Sequence, residues 1–207
     1  MLIALVPPIV RAARTGPFLL ACAAGWVLLA IPAALTTTID PNSLTLQLRL
    51  ASVCAAVGAV FLLDDPAKPT TLVVPARKWM ATALRIALGF LLAALWWAVA
   101  VTIVLVGAED GVGGDLRLAG TAVESATILA VALLLGVVGH RLAERGVGST
   151  AAAPTLLVLV GGLSLLPRDA ALFVGVGDPA WADVHDRWAV LLLTACAGLM
   201  VGAGTQR

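Results

Sequence analysis

Few side chains in this sequence have the types and spacing that chemistry requires. Asp64 and Asp65 form a carboxylate pair, an arrangement that can share a proton or bind a cation. Asp65 precedes Pro66, however, and an aspartate followed by proline is a helix start signal, with the carboxylate as cap and the ring in the first turn. Asp65 is therefore read as the N-cap of a short helix. A P-loop needs a glycine-rich turn running into Lys and Ser or Thr, so that backbone amides and the ammonium surround the phosphates. Neither lysine fits: Lys68 follows Ala67 and Lys78 follows Arg77, so this chain is not itself a P-loop ATPase. Cys22, Cys54 and Cys196 lie in apolar runs without the short spacings of a metal or redox site, and no metal ligand set is expected. His140 and His185 fall at opposite faces of the membrane in the topology derived below, so they cannot share a metal or a triad, and they read as interfacial polar residues. No catalytic residue is assigned.

The elements that must position these residues are set by composition. Of 207 residues 61% are apolar and 12% charged, and the mean hydropathy is +1.04, far above what a water-exposed surface carries. The formal net charge of +1 says nothing by itself, because what matters in a membrane protein is which loops hold the charges, and no nucleic-acid partner is expected. A membrane helix needs roughly 20 apolar residues to cross about 30 Å of hydrocarbon. Uncharged runs extend from Thr15 to Ile39, Ile86 to Ala108, Gly146 to Pro167 and Trp188 to Gln206, each long enough. Two further spans carry a charge. The run from Leu50 to Leu63 covers only about 21 Å at ~1.5 Å per residue, so that helix starts near Ser43 and includes Arg49. A span from about Leu118 to Gly139 includes Glu124. The reading is one transmembrane domain, 1–207, all-α, with spans at about 17–38, 43–63, 84–107, 118–139, 149–167 and 187–205.

Loop charges give the orientation. With the amino terminus inside, the inner side holds Arg11, Arg14, Lys68, Arg77, Lys78, Arg85, Arg141, Arg145 and Arg207, nine of thirteen basic residues. Both termini are then cytoplasmic. Arg11 and Arg14 precede an apolar run longer than a usual signal-peptide core, and the stretch around them reads as a short amphipathic helix in the headgroup layer. Arg49 and Glu124 each lie about 9 Å below the outer ends of their spans at ~1.5 Å per residue. At one depth, two opposite charges can turn inward and pair, since charge facing lipid costs several kcal/mol. Arg49 can instead snorkel to the headgroups, and Glu124 can be protonated or line an outer exit.

The inner segment Asp64 to Trp79 mixes caps, prolines and the exposed apolar run Leu72, Val73 and Val74. Such a segment touches either a partner or the membrane surface, and Trp79 with Arg77, Lys78 and Arg85 suits the headgroup layer. Outside, Ala170 to Val176 is too short to span yet apolar enough to dip into the bilayer, which makes it a re-entrant or interfacial segment flanked by Trp181 and Trp188 in the aromatic belt. Gly198 and Gly202 have a Gly-x-x-x-Gly spacing that permits close helix packing.

In order, the amphipathic start around Arg11 and Arg14, six spans, the inner loop of acidic pair, Thr71-Leu72 and Leu72-Val73-Val74-Pro75-Ala76-Arg77-Lys78, and the re-entrant stretch before the last span resemble the membrane subunit of type-2 ABC exporters, particularly small actinobacterial permeases. Eleven arginines against two lysines, beside heavy alanine usage, match a GC-rich bacterial genome. The resemblance covers nearly the whole chain and implies a multi-pass protein of the bacterial plasma membrane. It implies that the first inner loop (Asp64, Asp65, Pro66, Thr70, Thr71, Leu72, Val73, Pro75, Arg77) is a coupling helix docking a separate P-loop ATPase, which would bind ATP and Mg. It further implies a second permease subunit, identical or not, an exported substrate of unstated identity, and no cofactor in this chain. A secondary transporter or channel would need polar groups at mid-membrane, where the sequence offers Ser164, Thr127, Thr102 and the outer-half Glu124. A non-transporting accessory subunit fits the composition equally.

Overall fold

The computed structural model describes residues 15–35, 40–64, 78–107, 116–142 and 148–204. These are helical: α1 Thr15–Leu35, α2 Pro41–Val60 continued by a 3-10 turn Phe61–Leu63, α3 Lys78–Gly107, α4 Leu118–Leu142, α5 Ser149–Ser164 and α6 Trp181–Gly204. No strand occurs among the described residues. Among the described residues, five helices are long and apolar enough to cross a membrane: Thr15–Leu35, Pro41–Leu63, Trp79–Val106, Leu118–Leu142 and Trp181–Gly204. This suits a multi-pass membrane protein, because a helix satisfies its backbone groups internally where lipid offers no partner.

The fifth helix departs from the expected 149–167. It has 16 residues, about 24 Å at ~1.5 Å per residue, short of the hydrocarbon thickness. Leu166 precedes Pro167, and the residue before proline is pushed out of helical geometry, so the apolar run outlasts the helix. α6 departs in the opposite sense, starting at Trp181 and not near 187. Its polar first turns are held by Asp178, whose carboxylate accepts from the Ala180 amide at 2.8 Å and whose carbonyl accepts from the Trp181 amide at 3.1 Å. The α2 start near Ser43 moves two residues earlier for the same reason: Asp40 accepts from the amides of Asn42 and Ser43, with Pro41 in the first turn.

The centre of the bundle is α2, α4 and α6. They run parallel, with α2 against α4 and α4 against α6. α2 and α4 are the most buried of the long helices. Ala51, Ala55 and Ala59 give α2 a small-residue face that is almost wholly buried, which lets α1 approach closely. Gly198 and Gly202 are spent inside the chain: side chains added there would meet Leu134 at 3.1 Å and Val137 at 3.2 Å on α4.

Candidate functional site

At the end of the bundle where α2, α4 and α6 begin, three ionisable side chains converge. Arg49 projects from α2, and its Nε donates to Glu124 Oε2 at 2.6 Å while Nη2 donates to Oε1 at 2.7 Å. This two-pronged fork matches a planar guanidinium to a carboxylate. The Glu124 side chain is 1% exposed. His185, one turn into α6, brings Nε2 to 3.0 Å from Glu124 Oε1. That is ion-pair distance without the alignment of a full hydrogen bond. Its Nδ1 lies 2.7 Å from the Trp181 carbonyl oxygen, and the ring stacks on the Trp181 indole at 4.1 Å.

The cluster is tied to the irregular chain between α5 and α6. Arg49 Nη2 also donates to the Val174 carbonyl at 3.0 Å, and its guanidinium sits 5.4 Å from the centre of the Phe173 ring. Asn42 accepts from the Val176 amide at 2.9 Å, and Trp188 Nε1 donates to the Leu172 carbonyl at 2.7 Å. Leu172 and Val176 are buried with Trp188, the former beside Val184, Leu156 and Ile128. Non-helical backbone at such a place persists where protein groups satisfy it, and side chains of α2 and α6 do so here. Trp181 and Trp188 are 6% and 2% exposed. They therefore pack inside the bundle, Trp181 against His185 and Trp188 against the Leu172 carbonyl and the Phe173 ring.

Deeper along α2 and α4 the polar layer continues. Ser52 Oγ donates to its own helix at Leu48 and lies 2.8 Å from Ser125 Oγ, which also accepts from Trp97 Nε1 at 3.2 Å. Thr127 donates to Val123 in its own helix and lies 3.2 Å from the Trp188 carbonyl. Thr102 and Ser164 bond back to their own helices, at Ala98 and Val160, which is what hydroxyls in apolar helices commonly do.

The opposite end holds a second buried carboxylate. Asp64, 1% exposed, closes α2 and caps α5: Oδ1 accepts from the amides of Gly148 and Ser149 at 3.0 and 3.1 Å, and Oδ2 accepts from Ser149 Oγ at 2.6 Å. Arg85, expected in the headgroup layer, is 8% exposed and lines a crevice with Thr82, His140, Leu63 and Val137. The start of α3 lies against this end of the bundle, so the arginine is drawn in. Arg141 donates to the Gly202 carbonyl near the end of α6, a site where a cation meets unsatisfied carbonyls. Asp65, Pro66, Thr70, Thr71, Leu72, Val73, Pro75 and Arg77 of the expected coupling loop lie outside the described residues, as do the amphipathic start and the connection at Asp110.

A wide apolar groove of about 570 Å3 opens between α1 and α3, lined by Ala30, Ala33, Ala34, Ala98, Thr102 and Ile103 among others. Among the described residues its lining holds no ionisable group and shares none with the cluster. No group of three or more His, Cys, Asp or Glu suited to a metal occurs among the described residues. Sequence reasoning missed His185 and the inward role of Asp64. For His185 the available signal was Asp178-Pro179, the same cap-and-proline pattern applied to Asp65-Pro66, which begins α6 early enough to bring His185 onto a helix. No family model, curated protein or solved structure matches this chain.

Proposed function

We propose that this chain is the membrane-spanning subunit of an ATP-driven ABC exporter of the bacterial plasma membrane. It forms half of a substrate pathway with a second permease subunit and docks a separate P-loop ATPase through residues 64–79. In this reading six segments span, α5 completing its crossing through Leu165–Pro167, both termini are cytoplasmic, and the chain from 168 to 180 is an outer re-entrant cap. ATP and Mg belong to the partner, and this chain performs no chemistry of its own.

The observation that carries the reading is how the first inner loop is held. Its leading residue, Asp64, is buried and triply bonded to the start of α5, while its far end runs into α3 at Lys78. A push delivered to the loop is therefore passed to α2, α5 and α3 together, as a coupling element requires. Replacing Leu72 and Val73 with aspartate is expected to abolish co-purification with a P-loop ATPase in mild detergent, while membrane insertion persists. An ATPase that still co-purifies and is still stimulated rejects the docking role. The orientation has its own test. In a cysteine-free background, an impermeant thiol reagent applied to intact cells is expected to label cysteines placed at Asp110 or Asp178 and to spare those at Lys78 or Arg145. Labelling at Arg145 overturns the topology.

The buried Arg49–Glu124–His185 cluster favours one second reading, an ion-coupled carrier, because ionisable groups inside a membrane bundle are expensive and commonly mark ion or proton pathways. Transport that persists without any ATPase and collapses with the ion gradient would select it.

A further inference from the structure

His185 has both ring nitrogens against oxygen atoms, and this fixes a proton count. The Trp181 carbonyl oxygen can only accept, so Nδ1, 2.7 Å away, carries a hydrogen. On the other side, Nε2 stands 3.0 Å from Glu124 Oε1, closed to solvent and without a hydrogen-bond partner among the described residues. A neutral imidazole has one N–H only. With Nδ1 occupied, Nε2 of a neutral ring would hold its lone pair beside a carboxylate oxygen. One additional proton turns that repulsion into an ion pair. Glu124 already accepts the Arg49 fork on both oxygens, which is the behaviour of an ionised carboxylate, so the proton belongs on the imidazole. The Trp181 ring stacked on His185 at 4.1 Å and 27° presents the electron-rich face that attracts a cation.

We propose that His185 and Glu124 form a proton-binding site at the end of the bundle where α2, α4 and α6 begin, in which one bound proton clasps the first turns of α6 to α4. The inference goes beyond the exporter reading and does not depend on it. The charged groups around the site account for its balance. α2 contributes Arg49 and α4 contributes Glu124, which cancel. Arg117, just ahead of α4, lies with its guanidinium 5.6 Å from the centre of the Trp181 ring. On α6 itself Asp183, Asp186 and Arg187 are exposed, Arg187 donating to the Asp169 carbonyl at 3.3 Å. From the irregular chain, the Val174 carbonyl and the Phe173 ring reach the site through Arg49.

Backbone shape makes the clasp possible. A side chain at Gly120 would meet His185 Nε2 and Trp181 Cζ2 at 2.7 Å each, so only glycine lets these rings lie on α4. When the proton leaves, the ring either faces the carboxylate with a bare Nε2 or moves its hydrogen to Nε2 and loses the Trp181 carbonyl. Either way one of its two contacts fails, so the clasp loosens on the alkaline side and not on the acid side.

The test uses the full chain in lipid nanodiscs with His140→Gln, which leaves His185 as the single histidine. Nitrogen-15 imidazole NMR over a pH series is expected to show both nitrogens protonated where the clasp is closed and a single N–H where it has opened. Over the same interval the thermal unfolding midpoint is expected to fall by about 2–4 °C. His185→Gln places a permanent amide donor near Oε1, so its midpoint should lack that fall. A single N–H throughout the series, or an equal fall in His185→Gln, overturns the proposal.

Discussion

Arg49→Glu alone is expected to remove most folded protein from detergent extracts, and Glu124→Arg alone to do the same. Removing one partner of a buried ion pair costs about 3–5 kcal/mol, because the other charge is left without compensation, and reversal adds repulsion between like charges. Arg49 also satisfies the Val174 carbonyl, so its loss should free the chain between α5 and α6. The double exchange restores an opposite-charge pair between α2 and α4 and should recover monodisperse protein in part. Recovery is incomplete because an arginine at 124 would face His185 and a glutamate at 49 cannot donate to Val174. Arg49→Lys should fall between, since an ammonium keeps the charge but loses the planar fork. The monodisperse fraction after heating reads all four variants. A double exchange no better than either single would sink the energetic role of the pair.

Asp64→Ala is expected to be the second most damaging single change. It leaves the buried Gly148 and Ser149 amides at the start of α5 without their acceptor, at ~1–3 kcal/mol each where no water replaces it. Asp64→Asn keeps an acceptor oxygen for both amides, and Ser149 Oγ can turn to accept from the new amide. It should retain most of the stability. If the coupling reading holds, Asp64→Ala protein that is recovered should still bind the ATPase while losing stimulation of hydrolysis by transport, because the loop would be cut off from α5. Equal stability of Asp64→Ala and Asp64→Asn would show that the cap contributes little, and normal coupled hydrolysis in Asp64→Ala would remove the observation on which the proposed function rests.

The helices were legible in the sequence because lipid selects long apolar runs, and hydropathy reads that selection directly. Their ends were less so. The apolar run beginning at Trp188 marks where α6 becomes uniformly apolar, whereas the helix begins at Trp181, after a turn closed by Asp178. The run through Pro167 marks apolar composition, whereas α5 stops at Ser164 ahead of that proline. Depth along each span placed Arg49 and Glu124 at one level, since rise per residue is fixed.

The sequence by itself determined that this chain is apolar and helical, roughly where its five long helices lie, and that the spans around Arg49 and Glu124 carry a charge. Each of those follows from local composition and a constant rise. The tertiary structure alone decided that His185 joins Arg49 and Glu124, that Asp64 caps α5, and that Trp181 and Trp188 turn inward. Those depend on which face of one helix meets another, and in spans apolar nearly all the way round the sequence carries little record of that rotation. Packing of small residues sets it, as where Gly120 lets α6 lie close enough for His185 to reach the carboxylate.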